Sequence, residues 1–326
     1  MRSVLITGGT GSLGRALVTA LLAGPTERIA ILSRDEAKHA DLLAQFDNDE
    51  RIRSFLGDVR DLGRLRLAMR GVDTVIHAAA LKRVDALERD VLEAVKTNVT
   101  GSANVIEAAL WSDTVEQCVL VSSDKATAPR NAYGATKLCA EKLFLASNAY
   151  AGPRFACVRY GNVAGSRGSV IPTWLQLQAL GKPLPITDPS MTRFWIRMSE
   201  AVELVLWTLG QRVAGAVVIP KLPSFRVTDL WHAMHCPSQQ HVEPGPVTGI
   251  RPGEKLHEAL IGRDEAAMTV DLGPYYALRH PESTISGTPV DRPEYTSDVN
   301  DRWLDTRLLR LELVGMGLAR VATGVA

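Results

Sequence analysis

Cysteine is scarce in this chain of 326 residues. Its four cysteines, Cys118, Cys139, Cys157 and Cys236, are scattered and form no C-x-x-C pair. That spacing argues against a disulfide framework and a thiolate zinc site, and it suits a reducing compartment. No metal centre is expected. An excess of one charge sign is also missing, since 37 basic residues stand against 36 acidic ones, a net charge of +1. Neither a nucleic-acid face nor an acidic tail follows from such a balance. No uninterrupted apolar run reaches membrane-spanning length. The opening "MRS" leads directly into "VLITGG", which reads as a buried strand and not as a signal peptide. The expectation is a cytoplasmic protein with no membrane or nucleic-acid partner.

What the chain does have is an ordinary globular composition, 46% hydrophobic and 22% charged. Its length suits one large α/β domain or two tightly joined ones. Continuous apolar runs at 3–7, 29–33, 52–56, 73–78, 117–122 and 155–159 read as strands covered on both faces. Helical patterns lie between them at 12–23, 35–45, 61–69, 85–111 and 133–149. This alternation predicts an α/β fold, a doubly wound parallel (Rossmann) sheet with right-handed crossovers. Beyond residue 160 the alternation fades and Gly and Pro become frequent. One more helix (199–211) and one more strand (216–220) are expected to return to the first domain. The predicted division is 1–163 plus 199–220 for the nucleotide-binding domain, and 164–198 plus 221–326 for a smaller interleaved substrate-binding domain. The stretch 272–300, rich in Pro, Ser and Thr, reads as irregular.

"TGGTGSLG" (7–14) follows the first strand and opens the first helix. Gly8 permits a tight turn, Gly11 lets backbone approach a pyrophosphate, and Gly14 allows close helix–strand packing. The phosphates would sit at the helix N-terminus. Alone the motif is weak; inside a complete βαβ series it points to a dinucleotide. The second strand ends Ser33-Arg34-Asp35, with Lys38 one turn later. An acid there would take the 2′-hydroxyl of NAD, whereas the guanidinium of Arg34 and the hydroxyl of Ser33 suit the 2′-phosphate of NADP. NADP is the expectation. Asp58 and Val59 would border the adenine. Ala78, Ala79 and Ala80 are small enough for the cofactor to pass, and Lys82 follows them.

"SSDKATAPRNAYGATK" (122–137) starts where the fifth strand ends, at the carboxyl edge of the sheet. Tyr133 and Lys137, four apart at a helix start, share a face. An unperturbed phenol, with a pKa near ~10, is a poor base at neutral pH. Lowering that by ~3 units needs about 4 kcal/mol, which a nearby ammonium and a cationic nicotinamide ring could supply. Tyr133 and Lys137 thus account for alcohol oxidation. They leave Asp124 and Lys125 unexplained. A ketone at C4 of a sugar acidifies the C5 hydrogen, so Lys125 can act as the base there while Asp124 protonates the departing C6 hydroxyl.

With these residues in view, the chain resembles the extended short-chain dehydrogenase/reductases, and within them the inverting UDP-N-acetylglucosamine 4,6-dehydratases of the pseudaminic acid pathway. The resemblance covers almost the whole chain. It is carried by "ITGGTGSLG" (6–14), "SRDE" (33–36), "GDVRD" (57–61), "HAAALK" (77–82), "KTNVTG" (96–101), "SSDKA" (122–126), "YGATK" (133–137), "RYGNVAGSRGSVIP" (159–172), "ITDPSMTRFWI" (186–196) and "GIRPGEKLHE" (249–258). It implies NADP+ regenerated in each turnover, a substrate that is UDP-GlcNAc or a close UDP-N-acyl-hexosamine, and a homo-oligomer. It implies a catalytic set of Ser123, Asp124, Lys125, Tyr133 and Lys137. Thr10, Ser12, Leu13 and Asn98 join the cofactor residues, with Tyr133 and Lys137 also on that side. Two departures stand out. Ser123 occupies a position where Thr is usual, and "LKRVDALERD" (81–90) replaces a more usual His-Val-Pro sequence.

On the substrate side the resembling motifs offer Lys82, Asn162, Arg167, Val170, Thr187, Arg193, Arg251 and Glu254. Asn162 can bond a sugar or diphosphate, the three arginines are forked cations of the kind a diphosphate needs, and Glu254 can bond the uridine ribose. In the related retaining enzymes Met matches Tyr133, so the phenol implies inversion at C5. Other readings are a retaining dehydratase, a 4-epimerase, which needs no Asp-Lys pair, and an NADP(H) sensor without chemistry.

Overall fold

Strands β1 (Ser3–Thr7), β4 (Thr74–His77) and Ala216–Pro220 are buried along their whole length. Side chains on both faces of a strand stay dry only when helices cover both faces. The computed structural model, which describes residues 1–234, 245–281 and 283–319, shows that arrangement. Cys236 lies outside the described residues.

Among the described residues the main sheet has ten strands. Its order is Thr288–Pro289, Thr269–Asp271, Tyr275–Arg279, Ala216–Pro220, then β6 (Arg154–Val158), β5 (Gln117–Val121), β4, β1, β2 (Arg28–Ser33) and β3 (Ile52–Leu56). β1 pairs in parallel with both β2 and β4, Val4 lying opposite Ile29 on one side and Thr74 on the other. The strand order reverses there, so a crevice opens beyond the carboxyl ends of these strands. β3 differs from the expectation of a fully covered strand: only Ile52 is buried, because β3 is the sheet edge.

Two compact units emerge. The first comprises Met1–Tyr160, Met198–Lys221 and Ile261–Glu294; the second comprises Gly161–Arg197, Leu222–Leu260 and Tyr295–Ala326. The sequence reading gave all of 221–326 to the second unit and took 272–300 as irregular. Both points need correction. Within 272–300, Tyr275–Arg279 pairs antiparallel with Ala216–Pro220 in the main sheet, from Tyr275 opposite Pro220 to Arg279 opposite Ala216. Tyr275, Tyr276, Ala277 and Leu278 are buried there, and Tyr275 packs on Trp207 with ring centroids 4.6 Å apart. The aromatic and aliphatic content of "YYALR" decides this, whatever the flanking Pro and Ser suggest.

The long helix expected over 85–111 is also interrupted. Short helical turns at Val84–Leu87 and Val91–Ala94 lead into a π-helical turn, Val95–Thr100, before a regular helix at Gly101–Leu110. A π-turn holds one extra residue per turn and re-aims the side chains it carries. Here it carries Asn98.

The second unit has its own core, in which Trp174, Trp195, Phe225, Trp231, Leu309 and Leu313 are buried together. A three-stranded sheet in the order Ser224–Arg226, Thr192–Ile196, Asn162–Val163 lies among helices Val170–Ala179, Val227–Met234 and Thr306–Gly315. Among the described residues no helix is long and apolar enough to cross a membrane.

Candidate active site

The glycine loop is tightly built. Gly8 has φ +70°, and a Cβ on it would lie 2.9 Å from the Ala79 backbone; a Cβ on Gly14 would lie 2.4 Å from the carbonyl oxygen of Gly9. Both positions therefore demand glycine. Ala78 N–H donates to the Thr7 carbonyl at 3.1 Å and Ala79 N–H to the Thr7 hydroxyl at 3.3 Å, so these alanines are pinned beside the loop. The helix that follows, Ser12–Leu22, has no side-chain cap and no acid in its first turn. The positive end of the helix is left to a ligand. Thr10 is buried, Ser12 is exposed and Leu13 half-buried at that helix start. This loop fits a dinucleotide pyrophosphate.

At the end of β2 the acid is already used. Asp35 caps the helix Glu36–Gln45, accepting from the Lys38 backbone N–H at 3.1 Å, and its carboxylate also pairs with the Lys38 ammonium. That contact ties Lys38 to Asp35. Arg34 reaches Asp58 at 3.6 Å with half of its side chain in solvent. Val59 is buried against Gly101, where an added Cβ would lie 2.7 Å from Val59 Cγ2. Its place is in the packing under the loop.

The residues beyond β5 form one turn of 3₁₀ helix, Asp124–Ala126. The Ser123 hydroxyl donates to Asp124 Oδ1 at 2.8 Å, and Lys125 Nζ lies 3.2 Å from the same oxygen. Asp124 is 1% exposed. The following helix, Ala132–Ala146, starts at Asn131, whose Oδ1 accepts from Gly134 N–H at 2.8 Å. The turn and the helix meet at Gly134, where a Cβ would be 2.2 Å from the Lys125 carbonyl oxygen.

Burial pushes the Tyr133 phenol pKa up; a hydrogen bond with Ser123 and the charge of Lys125 pull it down, while Asp124 pushes it up. The charge of Lys125 thus reaches the phenol. Lys137, expected to fill that role, instead donates to the Val121 carbonyl at 2.7 Å. Burial lowers its ammonium pKa to about 8, against the opposing charge of Glu141 one turn along the helix.

Asn98, expected on the cofactor, is engaged by the protein. Its Oδ1 accepts from Leu81 N–H at 2.8 Å, and its Nδ2 donates to the Leu81 carbonyl and to Thr136 Oγ1, both at 3.0 Å. It ties the segment after β4 to the helix of Tyr133. Lys82 is exposed in that same segment.

Sequence reasoning missed a buried cluster behind the turn. Arg159, with no exposed surface, donates to Glu141 at 2.6 and 3.1 Å, to Glu265 at 2.7 and 2.9 Å, and to Thr127 Oγ1 at 2.9 Å. It joins the residues after the Asp124–Ala126 turn, the Tyr133 helix and the returning segment Ile261–Glu294. A charged residue closing the apolar run "FACVR" was the available signal. Removing one partner of such a cluster strands a buried charge.

In the second unit Asn162, Arg167, Val170 and Arg251 are exposed and Thr187 is half-buried. Arg193 departs from its expected role. It is 8% exposed, and its two terminal nitrogens donate to the carbonyls of Thr192, Leu256 and Lys255 and to Glu254 at 3.4 Å. Glu254 also accepts from Arg251 N–H at 3.4 Å. Arg193 therefore organises the 251–256 turn from below.

Residues 4–280 match the family described as Polysaccharide biosynthesis protein. The chain belongs to this family. Within the polysaccharide biosynthesis family it is 44% identical to a Campylobacter jejuni protein named UDP-N-acetylglucosamine 4,6-dehydratase (inverting), over 94% of this chain and 96% of that one. It is 39% identical to a Rickettsia massiliae protein named UDP-glucose 4-epimerase, over 85% and 82%. Among solved structures, Pen from Bacillus thuringiensis superposes with a TM-score of 0.91 at 32% identity, over 98% of both chains. The DesIV dTDP-glucose 4,6-dehydratase from Streptomyces venezuelae, solved with NAD and TYD bound, gives 0.61 at 27% identity, over 67% of this chain and 74% of that one. These likenesses place this family member among the extended short-chain dehydrogenase/reductases, on a doubly wound parallel sheet.

Proposed function

We propose that this protein is a UDP-N-acetylglucosamine 4,6-dehydratase that inverts C5 and works with NADP+ regenerated in each turnover. The observation that carries the reading is the Asp124-Lys125 pair, held against the Tyr133 helix at Gly134. The name of the Campylobacter jejuni relative supports it. The substrate would be UDP-GlcNAc or a close UDP-N-acyl-hexosamine, and the enzyme a cytoplasmic homo-oligomer serving pseudaminic acid synthesis. NADP is favoured because Asp35 is occupied as a helix cap while Arg34 stands half exposed beside it.

Gly8, Gly11 and Gly14 would hold the pyrophosphate, Ser33 and Arg34 the 2′-phosphate, and Lys137 the nicotinamide ribose. When bound, the nicotinamide accepts a hydride from C4 and later returns one to C6. Tyr133 takes the proton of the C4 hydroxyl, its phenolate favoured by Ser123 and Lys125. The C4 ketone then acidifies C5–H, and Lys125, as a neutral amine, removes that proton. Asp124, as a carboxylic acid, protonates the C6 hydroxyl so that it leaves as water. This starting state differs from the ion pair only by one proton crossing the 3.2 Å contact between the two side chains. Burial of Asp124 keeps water away from that exchange.

A 4-epimerase reading has the Rickettsia massiliae name in its favour. It uses the Tyr-Lys pair and needs neither an acid at Asp124 nor a C5 base at Lys125. Incubation with UDP-GlcNAc, with the products analysed by mass and by NMR, separates the readings. Loss of one water is expected; an isobaric product would mean epimerisation, and unchanged substrate would leave a cofactor-binding protein without this chemistry.

A further inference from the structure

We propose that His39 is the positioning residue for selectivity toward a 2′-phosphorylated adenosine, acting by aiming the hydroxyl of Ser33. The inference rests on the NADP reading above. His39 is 5% exposed, on the helix that Asp35 caps. Its Nε2 lies 2.8 Å from Ser33 Oγ and 3.1 Å from the Ser33 carbonyl oxygen; its Nδ1 lies 2.6 Å from Ser54 Oγ. A carbonyl only accepts, so Nε2 carries the proton and Nδ1 accepts from the Ser54 hydroxyl. Ser33 Oγ therefore accepts from His39, and its own hydrogen must point to another acceptor. The neighbour within reach is Thr10 Oγ1, at 2.9 Å, in the phosphate loop. Ser33 itself is half-buried beside exposed Arg34. A phosphate oxygen in that position would take the Ser33 hydrogen while Arg34 supplies charge. A free 2′-hydroxyl, which can donate as well as accept, gains much less from a hydroxyl aimed in this way. His39 thus converts an ambivalent hydroxyl into a fixed donor without touching the ligand.

The test titrates the full-length chain, cleared of retained nucleotide with charcoal, with 2′,5′-ADP and with 5′-ADP by calorimetry. The wild type should bind 2′,5′-ADP roughly tenfold or more tightly than 5′-ADP. His39→Leu should cut that ratio about tenfold, the worth of one organised hydrogen bond, with 5′-ADP binding unchanged. His39→Gln, whose amide N–H can replace Nε2–H, should restore it. Ser33→Ala should lower the ratio as much as His39→Leu, and combining the two should lower it no further. A wild type with no preference would overturn the NADP reading and the inference with it. A wild type that discriminates, with the ratio intact in His39→Leu, would overturn the inference alone. If His39→Leu fails to fold or weakens both probes equally, Ser33→Ala and His39→Gln decide. A preserved ratio in Ser33→Ala, or a lost one in well-folded His39→Gln, would overturn it.

Discussion

The carbonyl oxygen of Lys125 lies where a methyl group on Gly134 would have to be, 2.2 Å from an ideal Cβ. The turn bearing the acid–base pair and the helix bearing the phenol thus touch with no room for a single carbon. Gly134→Ala must push them apart. Overpacking of this kind costs about 1–3 kcal/mol, read as a lower midpoint in denaturant. The larger effect should be on turnover, since a displacement near 1 Å in a reacting constellation costs about a hundredfold. Wild-type kcat in Gly134→Ala would show that this contact does not set the geometry.

Much of this was legible in the sequence for physical reasons. Continuous apolar strands and a glycine loop at a strand–helix junction have few other uses, so β1 to β6 and the phosphate loop could be placed from spacing alone. Ser123, Asp124, Lys125 and Tyr133 came together because one strand end and one helix start bracket them. Roles that depend on hydrogen-bond direction were not legible. Asn98 and Arg193 carry the residue types a ligand wants, but their donors go to Leu81 and Thr136 and to the 251–256 turn, and Lys137 gives one of its three donors to Val121. Composition hid the strand Tyr275–Arg279, because a short buried strand between Pro-rich flanks gives little periodic signal.

His77 should make the protein acid-sensitive. It is buried between Thr7, 2.6 Å from Nδ1, and Ser102, 3.1 Å from Nε2. Burial, aided by the charge of Lys137, lowers its pKa from 6.5 to about 3. Between those values the unfolded chain binds a proton that the folded one refuses. This contribution to stability is therefore lost as pH falls below 6.5. From pH 6.5 to 5 it amounts to about 1.5 kcal/mol. Urea unfolding at both values should show that loss, and His77→Asn, though less stable at neutral pH, should show a flatter profile. An equal slope in the variant would remove His77 as the cause.

Arg34→Ala should discriminate between cofactors. Its guanidinium is half exposed and held only loosely toward Asp58, at 3.6 Å. A charged hydrogen bond to a 2′-phosphate is worth about 2 kcal/mol, some thirtyfold in Kd for NADP. NAD offers nothing to lose. Equal weakening of both, measured by fluorescence titration, would show that another residue selects.

Lys125→Ala should separate oxidation from elimination. Tyr133 and Lys137 remain, so C4 can still be oxidised, though more slowly, because the phenol loses the charge of Lys125, which pulls its pKa down. The base for C5–H is gone. In a single turnover with UDP-GlcNAc, the absorbance of the reduced nicotinamide should rise and persist, with little dehydrated product, because the acid–base step is interrupted. Dehydration at the wild-type rate would take Lys125 out of the mechanism.

The stereochemistry at C5 turns on Tyr133. Elimination leaves a planar 4-keto-5,6-ene; hydride adds at C6, and C5 must regain a proton. In the proposed mechanism Lys125 removes the original one. A second carrier is needed for the opposite face, and the phenol is the titratable group that shares Ser123 and the field of Lys125 with the acid–base turn. A Met at this position, which the resemblance implies for retaining enzymes, carries no proton. Inversion to the L-arabino 4-keto-6-deoxy sugar is expected, with a solvent deuteron at C5 when the reaction runs in D₂O. Tyr133→Phe would remove both C4 oxidation and this proton, so the decisive observation is on the wild type: NMR of product taken before non-enzymatic epimerisation. A D-xylo product at early times would mean that protonation returns from the face of Lys125, and that the phenol serves oxidation alone.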